Sequence, residues 1–310
     1  MSFSSDVKNE TAGIELNGND ARAELSALIQ MSSSLSFSTR GMAISVTLEN
    51  AAVARTVYRL IKERYNADIN LSVKRKMNLH KNLIYGLRIY TDAVEILRDL
   101  GIYSARGLLE KPLQKIVSSD SNARAYLSGA FLASGSVNPP EKTNYHLEMT
   151  ASNEEHARFL IELLKRFDIS ARMISRRGKS VVYIKAAEKI ADFLRIIGAN
   201  DAVMKFENIR ISRDFTNSLT RLNNCDVANE VKSQTAARKQ LEDIARIEEM
   251  RLHPGEKLQI VMDLRKENPE ASLLELCALY EEKTGTAVSK SGMKHRFVRI
   301  HELAEKGGKQ

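Results

Sequence analysis

Two stretches of the chain set small and apolar residues at helical spacing and then break into polar turns. Residues 21–37 read ARAELSALIQMSSSLSF, and residues 123–139 read ARAYLSGAFLASGSVNP. Apolar or small side chains recur every three or four positions, the period of a helix with one buried face. Ala125, Gly129 and Ala133 fall at i, i+4 and i+8 of the second stretch, with Ala23 and Ala27 in the same places of the first. Such a stripe lets two helices approach closely. Asp20 and Asn122, just ahead of each stretch, are the expected N-caps.

The two stretches are copies, identical at seven of seventeen aligned positions. The likeness continues from ENAAVARTVYRLIKERY (49–65) to SNEEHARFLIELLKRFD (152–168). Asn50, Ala54, Arg55, Leu60 and Lys62 recur there as Asn153, Ala157, Arg158, Leu163 and Lys165. Period-two alternation predicts strands in GMAISVTLE (41–49), LIYGLRIY (83–90), NYHLEMTA (144–151) and SVVYIKA (180–186). A further helix closes each half, TDAVEILRDLG (91–101) and AEKIADFLRIIG (187–198). The prediction is an α+β domain of two repeats, about 20–100 and 122–200, related by a pseudo-twofold. That internal twofold makes a monomer sufficient.

After Phe215 the pattern changes. Residues 229–250 form one long polar helix, expected to be a linker and closed by HPG. Three short helices follow at about 256–267, 272–283 and 289–304. Ser272 and Glu275 match a capping box. A Gly-containing turn precedes the last helix, so the end of the chain reads as an all-α helix-turn-helix. Leu273, Leu276, Leu279, Phe297 and Ile300 are its expected core. The expected domain boundaries are 1–222, a linker 223–255, and 256–306.

Charge adds a partner class. The 310-residue chain carries a formal net charge of +8, which points to a polyanion, above all nucleic acid. Residues 69–91 hold Lys74, Arg75, Lys76, Lys81 and Arg88 and no acid. At the equivalent place of the second repeat, 172–187 hold Arg172, Arg176, Arg177, Lys179 and Lys185, again without an acid. These strands are candidate phosphate contacts, or solvated edges that lysine protects from aggregation. In the last helix, Lys290, Lys294, His295, Arg296 and Arg299 precede its first acid, while 269–282 hold four glutamates and no Lys or Arg. As a recognition helix it would carry Lys and Arg to guanine or phosphate, and Ser289 and Ser291 to phosphate or a base edge. Ser272 is the further candidate. An amphipathic bundle that binds protein is the alternative. Cys225 and Cys277 belong to no CxxC pair, the histidines show no metal-ligand spacing, and no glycine-rich phosphate loop is present, so no cofactor is expected. No run reaches membrane-span length, and MSFSSDVKNE is no signal peptide, so a cytoplasmic protein without a membrane partner is expected.

The paired motif helices, LSALIQMSS (25–33) and LSGAFLASG (127–135), resemble those of the LAGLIDADG homing endonucleases. That resemblance implies a pseudo-twofold α+β domain of two αββαββα-type repeats, two helices packed at the domain centre, saddle-shaped sheets over DNA, and metal-binding acids at the helix ends. The acids are missing here. The metal-binding position aligns with Ser32 and Ser134, and a neighbouring one with Gln30 and Leu132. Divalent metals want carboxylates, so nuclease activity is not expected. Acids from elsewhere, such as Asp120 or Glu148, would be needed. The opening MSFSSDVKNE, NCDVAN (224–229) and SKSGMKHRF (289–297) resemble the WhiA family of bacterial sporulation and cell-division regulators. The resemblance implies a nucleoid-associated partner of double-stranded DNA, acting in transcription, cell division or chromosome segregation, with other regulators or a sigma factor as further partners. An adaptor whose first domain binds a protein or ligand is the remaining alternative.

Overall fold

The computed structural model describes residues 2–38, 41–75, 83–142 and 144–307. They fall into two units, divided between Arg213 and Asp214. The first opens with α1 (Phe3–Ala12). The first repeat is α2 (Gly18–Ser32), β1 (Ser33–Ser38), β2 (Gly41–Leu48), α3 (Ala51–Tyr65), β3 (Ile69–Arg75), β4 (Leu83–Ile89) and α4 (Ala93–Asp99). A small hairpin, β5 (Tyr103–Ser104) and β6 (Gly107–Leu108), leads to the second. That repeat is α5 (Asp120–Ser134), β7 (Gly135–Val137), β8 (Leu147–Thr150), α6 (Glu154–Lys165), β9 (Arg172–Arg176), β10 (Lys179–Ile184) and α7 (Ala187–Ile196). The two antiparallel sheets have the same order, β1-β2-β4-β3 and β7-β8-β10-β9. The αββαββα expectation holds in both halves.

The seam between α2 and α5 follows from side-chain size. A Cβ added at Gly129 would lie 2.2 Å from the backbone oxygen of Glu24 and 3.0 Å from Cβ of Ala27. Only glycine fits there. One apolar core gathers α5, α6, α7 and the second sheet, and another gathers α2, α3, α4 and the first.

The expected caps are corrected. Asn17 is the N-cap position of α2, and Ser119 caps α5, its Oγ accepting the Asn122 amide at 3.1 Å. Asp20 and Asn122 sit inside the first turns and tie the helices together. Asn122 Nδ2 donates to Asp20 Oδ1 at 2.7 Å, and Ser121 Oγ to Asp20 Oδ2 at 2.5 Å. Both side chains are spent on bonds across the seam, so neither caps its own helix.

Helix α1 covers the free edge of β7. Ser4 Oγ donates to the Val137 carbonyl at 2.7 Å and accepts its amide at 2.8 Å. Its Glu10 carboxylate accepts the amides of Asp201 and Ala202, at 2.7 and 3.0 Å. These are first-turn donors of α8 (Asn200–Glu249), so α1 supplies that helix with its cap. The polar helix expected from residue 229 thus begins at Asn200.

The second unit contains the remainder of α8 with α9 (Glu256–Glu267), α10 (Leu273–Thr284) and α11 (Lys290–Gly307). Ile244 and Ile247 of α8 join Leu276, Met293, Phe297 and Ile300 in its core, with Leu273 and Leu279 half-buried against it. The Ser272–Glu275 capping box forms as expected. Buried Arg265 is the unit's staple. Its guanidinium donates to the carbonyls of Asn268, Pro269 and Ala271 and to Gln240, and lies 5.5 Å from the Phe297 ring centre.

Candidate nucleic-acid interface

The helix-turn-helix is built by local chemistry. Gly285, at φ 69°, ends α10 in the left-handed region and sends its amide to the Glu281 carbonyl. Ser289 Oγ accepts the Gly292 amide at 3.1 Å and so caps α11. Met293, Phe297, Ile300 and Ala304 turn α11 inward, at i, i+4, i+7 and i+11. That leaves Ser291, Lys294, His295, Val298 and Arg299 on the exposed side, with Lys290 at the start.

Among the candidate contacts, these exposed residues share one face. Arg299 is paired with Glu302 at 3.0 Å. Arg296 stands apart: its guanidinium lies 4.2 Å from the Tyr280 ring centre, and its Nη1 is buried with no hydrogen-bond partner among the described residues. Ser272 and Ser289 use their hydroxyls as caps. Residue type alone could not separate Arg296 from Lys294. Their places relative to Phe297 and Tyr280 do.

In the first unit, pleat alternation sorts the basic strands. Buried Ile44, Val46, Leu87 and Ile89 mark the helix-facing side of the first sheet. Lys74 and Arg88 therefore point the other way, among Ser45, Thr47, Asn70 and Ser72, whereas Arg75 shares the helix-facing side. In the second sheet, Arg172, Arg176 and Lys179 share the face away from buried Met149, Val182 and Ile184. Glu148 lies on that face too, with His146 at 3.1 Å. Arg177 occupies the tight turn, at φ 53°. Lys76 and Lys81 lie outside the described residues.

The motif-helix ends do not fit a divalent metal. Ser134 Oγ donates to the Thr150 carbonyl at 2.9 Å and accepts its amide at 3.0 Å. Ser32 Oγ donates to the Leu28 carbonyl at 2.5 Å. Both hydroxyls are neutral and already committed, and hard dications want charged oxygens. The cavity beside Ser134, about 650 Å³, holds a cation, Lys8, together with Glu49 and Asn50. Burial pulls the Lys8 amine down to about 8, against the pull of Glu49. Asp120 pairs with Arg166 at 2.5 Å at the start of α5, while Glu148 lies opposite Ser136 beyond its end. The intervening helix spans roughly 20 Å, so these acids do not converge. Among the described residues, no three His, Cys, Asp or Glu side chains gather as a metal site, and no helix is long and apolar enough to cross a membrane.

Comparison with known proteins agrees with this architecture. The WhiA N-terminal LAGLIDADG-like domain matches residues 19–103, the WhiA LAGLIDADG-like domain 123–216, and the WhiA C-terminal HTH domain 219–304. The chain is 45% identical over 308 residues to "Probable cell division protein WhiA" of Enterococcus faecalis, covering 99% of this chain and 98% of that protein. The chain belongs to the WhiA family. A WhiA relative from Staphylococcus epidermidis is likewise 45% identical over 309 residues, covering 99% of this chain and 97% of its own. The crystal structure of full-length DUF199/WhiA from Thermatoga maritima shares the fold, with a TM-score of 0.59 at 23% identity over 99% of both chains. The N-terminal LAGLIDADG domain of DUF199/WhiA does so with a TM-score of 0.52 at 24% identity, over 64% of this chain and 90% of that one. Within the WhiA HTH match fall α10, α11 as far as Ala304, and every exposed cation named above on α11.

Proposed function

We propose that this WhiA-family chain is a non-enzymatic DNA-binding regulator of cell division that reads double-stranded DNA with α11. The observation that carries the reading is the exposed face of that helix, where Ser291, Lys294, His295 and Arg299 lie opposite buried Met293, Phe297 and Ile300. A helix seated this way offers its first turns to base edges and phosphates. The curated relatives' name supports the cell-division setting. Transcription control, chromosome segregation and sporulation are the finer roles that the family likeness implies, with a sigma factor or another regulator as protein partner. In this reading the outward cations Lys74, Arg172, Arg176 and Lys179 add phosphate contacts, and the protein acts at the nucleoid. The serine-ended motif helices support loss of the nuclease chemistry.

The test is duplex binding by full-length protein over a salt series. Lys290→Ala with Lys294→Ala should weaken binding and flatten the plot of log K against log salt by about one per lost phosphate contact. Both side chains are exposed, so the fold should be untouched. Unchanged affinity and slope would remove α11 as the reading element.

A further inference from the structure

We propose that the outer edge of β3 docks an extended, acidic segment of a partner protein, which joins the first sheet as a fifth strand. β3 ends the order β1-β2-β4-β3, and among the described residues no strand pairs with its far edge. Free N–H and C=O groups along such an edge are a template for another strand. Beside it, between β3 and α3, lies a groove of about 730 Å³. Its floor is apolar and open to solvent: Leu71 is 53% exposed, Val73 52% and Tyr58 40%. Leu71 pairs with Leu87 and Val73 with Tyr85, so both share the helix-facing side of the sheet. A strand laid along β3 would send every second side chain into this groove.

The second repeat serves as an internal control. Val46 pairs with Leu87 in one sheet and Met149 with Val182 in the other, each next to the first strand of its repeat. On that register Leu71, Val73 and Tyr85 correspond to Met173, Ser175 and Ser180. Met173 is half-buried against the core, and the other two positions are polar. The fold therefore does not require an apolar floor here; only the first repeat has one. Charge diverges in the same place. Arg158 is neutralised by Glu154 at 2.6 Å. Its counterpart Arg55 lines the groove with Ala51 in the glutamate's position, and among the described residues no ion pair to it is seen. Arg75 lies on the same side at the end of β3. The occupant that fits alternates apolar side chains, with carboxylates placed to meet Arg55 and Arg75.

Displayed random peptides of about twelve residues, enough to pair along β3, would be selected on the full chain. Counter-selection would use the Leu71→Ser/Val73→Ser variant, with folding checked by circular dichroism and melting. Enriched peptides should alternate apolar residues with Asp or Glu and bind the parent at least about ten-fold more tightly than the variant. They should also slow amide exchange in 69–75 and lose affinity for Arg55→Glu. Should the serine variant not fold, Arg55→Glu, a surface exchange, takes its place as the counter-selector. No enrichment, equal binding to both proteins, or protection elsewhere overturns the proposal. So does a parent dimer that the variant dissolves, because the occupant is then a second copy. Duplex binding, measured on the same variant, should not change, so failure here leaves the DNA reading standing.

Discussion

At the residue scale, three positions govern how the chain can pack. Gly129 is one, because a methyl group there would meet a backbone oxygen that cannot swing away. Gly129→Ala should lower stability by about 1–3 kcal/mol or more, read from urea unfolding. Glu24 is the second. It is 2% exposed in the same seam, accepts a hydrogen bond from Ser128 at 2.8 Å, and burial pushes its carboxyl up to about 7. The folded state keeps this proton where the unfolded chain has released it. Glu24 thus makes stability fall as pH rises from about 4.5 to 7, by roughly 3 kcal/mol in all. Buried His156, pulled down to about 4, acts in the opposite sense below pH 6.5. The two partly cancel in the parent. Glu24→Gln should therefore be the more stable protein at pH 8, with the difference vanishing below pH 4; an equal melting temperature at pH 8 would refute the assignment. Arg265 is the third. Arg265→Leu strands three carbonyls of the α9–α10 turn, and should cost several kcal/mol and abolish DNA binding through the second unit. Nothing in its neighbours marks Arg265 as buried, since arginine is read by default as surface. Only the converging carbonyls reveal it.

At the element scale, most helices and the strands β2, β4, β8 and β10 were legible because their periodicity is strong. The repeat, the HTH helices within a few residues, and the capping box follow from spacing, whereas the full αββαββα order came with the family resemblance. The caps of α2 and α5 did not, because Asp20 and Asn122 suit a cap and a cross-helix bond equally well by residue type. Nor was α1 visible as a structural part. Its Glu10 caps a helix 191 residues further along. Glu10→Ala should cost about 1 kcal/mol and speed amide exchange at Asp201 and Ala202. Unaltered exchange there would mean that α8 starts without help from α1.

At the scale of the whole molecule, charge and motif chemistry decide what the scaffold can do. Residues 1–226 carry 32 basic and 25 acidic side chains, and 227–310 carry 15 and 14. The surplus thus sits with the LAGLIDADG-like repeats, while α11 has only its local cluster. Supercoiled plasmid incubated with Mg²⁺ or Mn²⁺ should stay intact. Nicking that scales with protein and stops with EDTA would restore the nuclease reading. The sequence alone determined the repeat, the seam of small residues, the missing carboxylates at Ser32 and Ser134, and the basic last helix. Each is a matter of residue type at a fixed spacing, and spacing is local. The tertiary structure alone decided which cations face outward, that Arg296 stacks on Tyr280, that Lys8 stands beside Ser134, and that the first repeat keeps an open apolar edge where the second has serines. Those depend on which distant segments meet, and that is set by the packing of the whole chain.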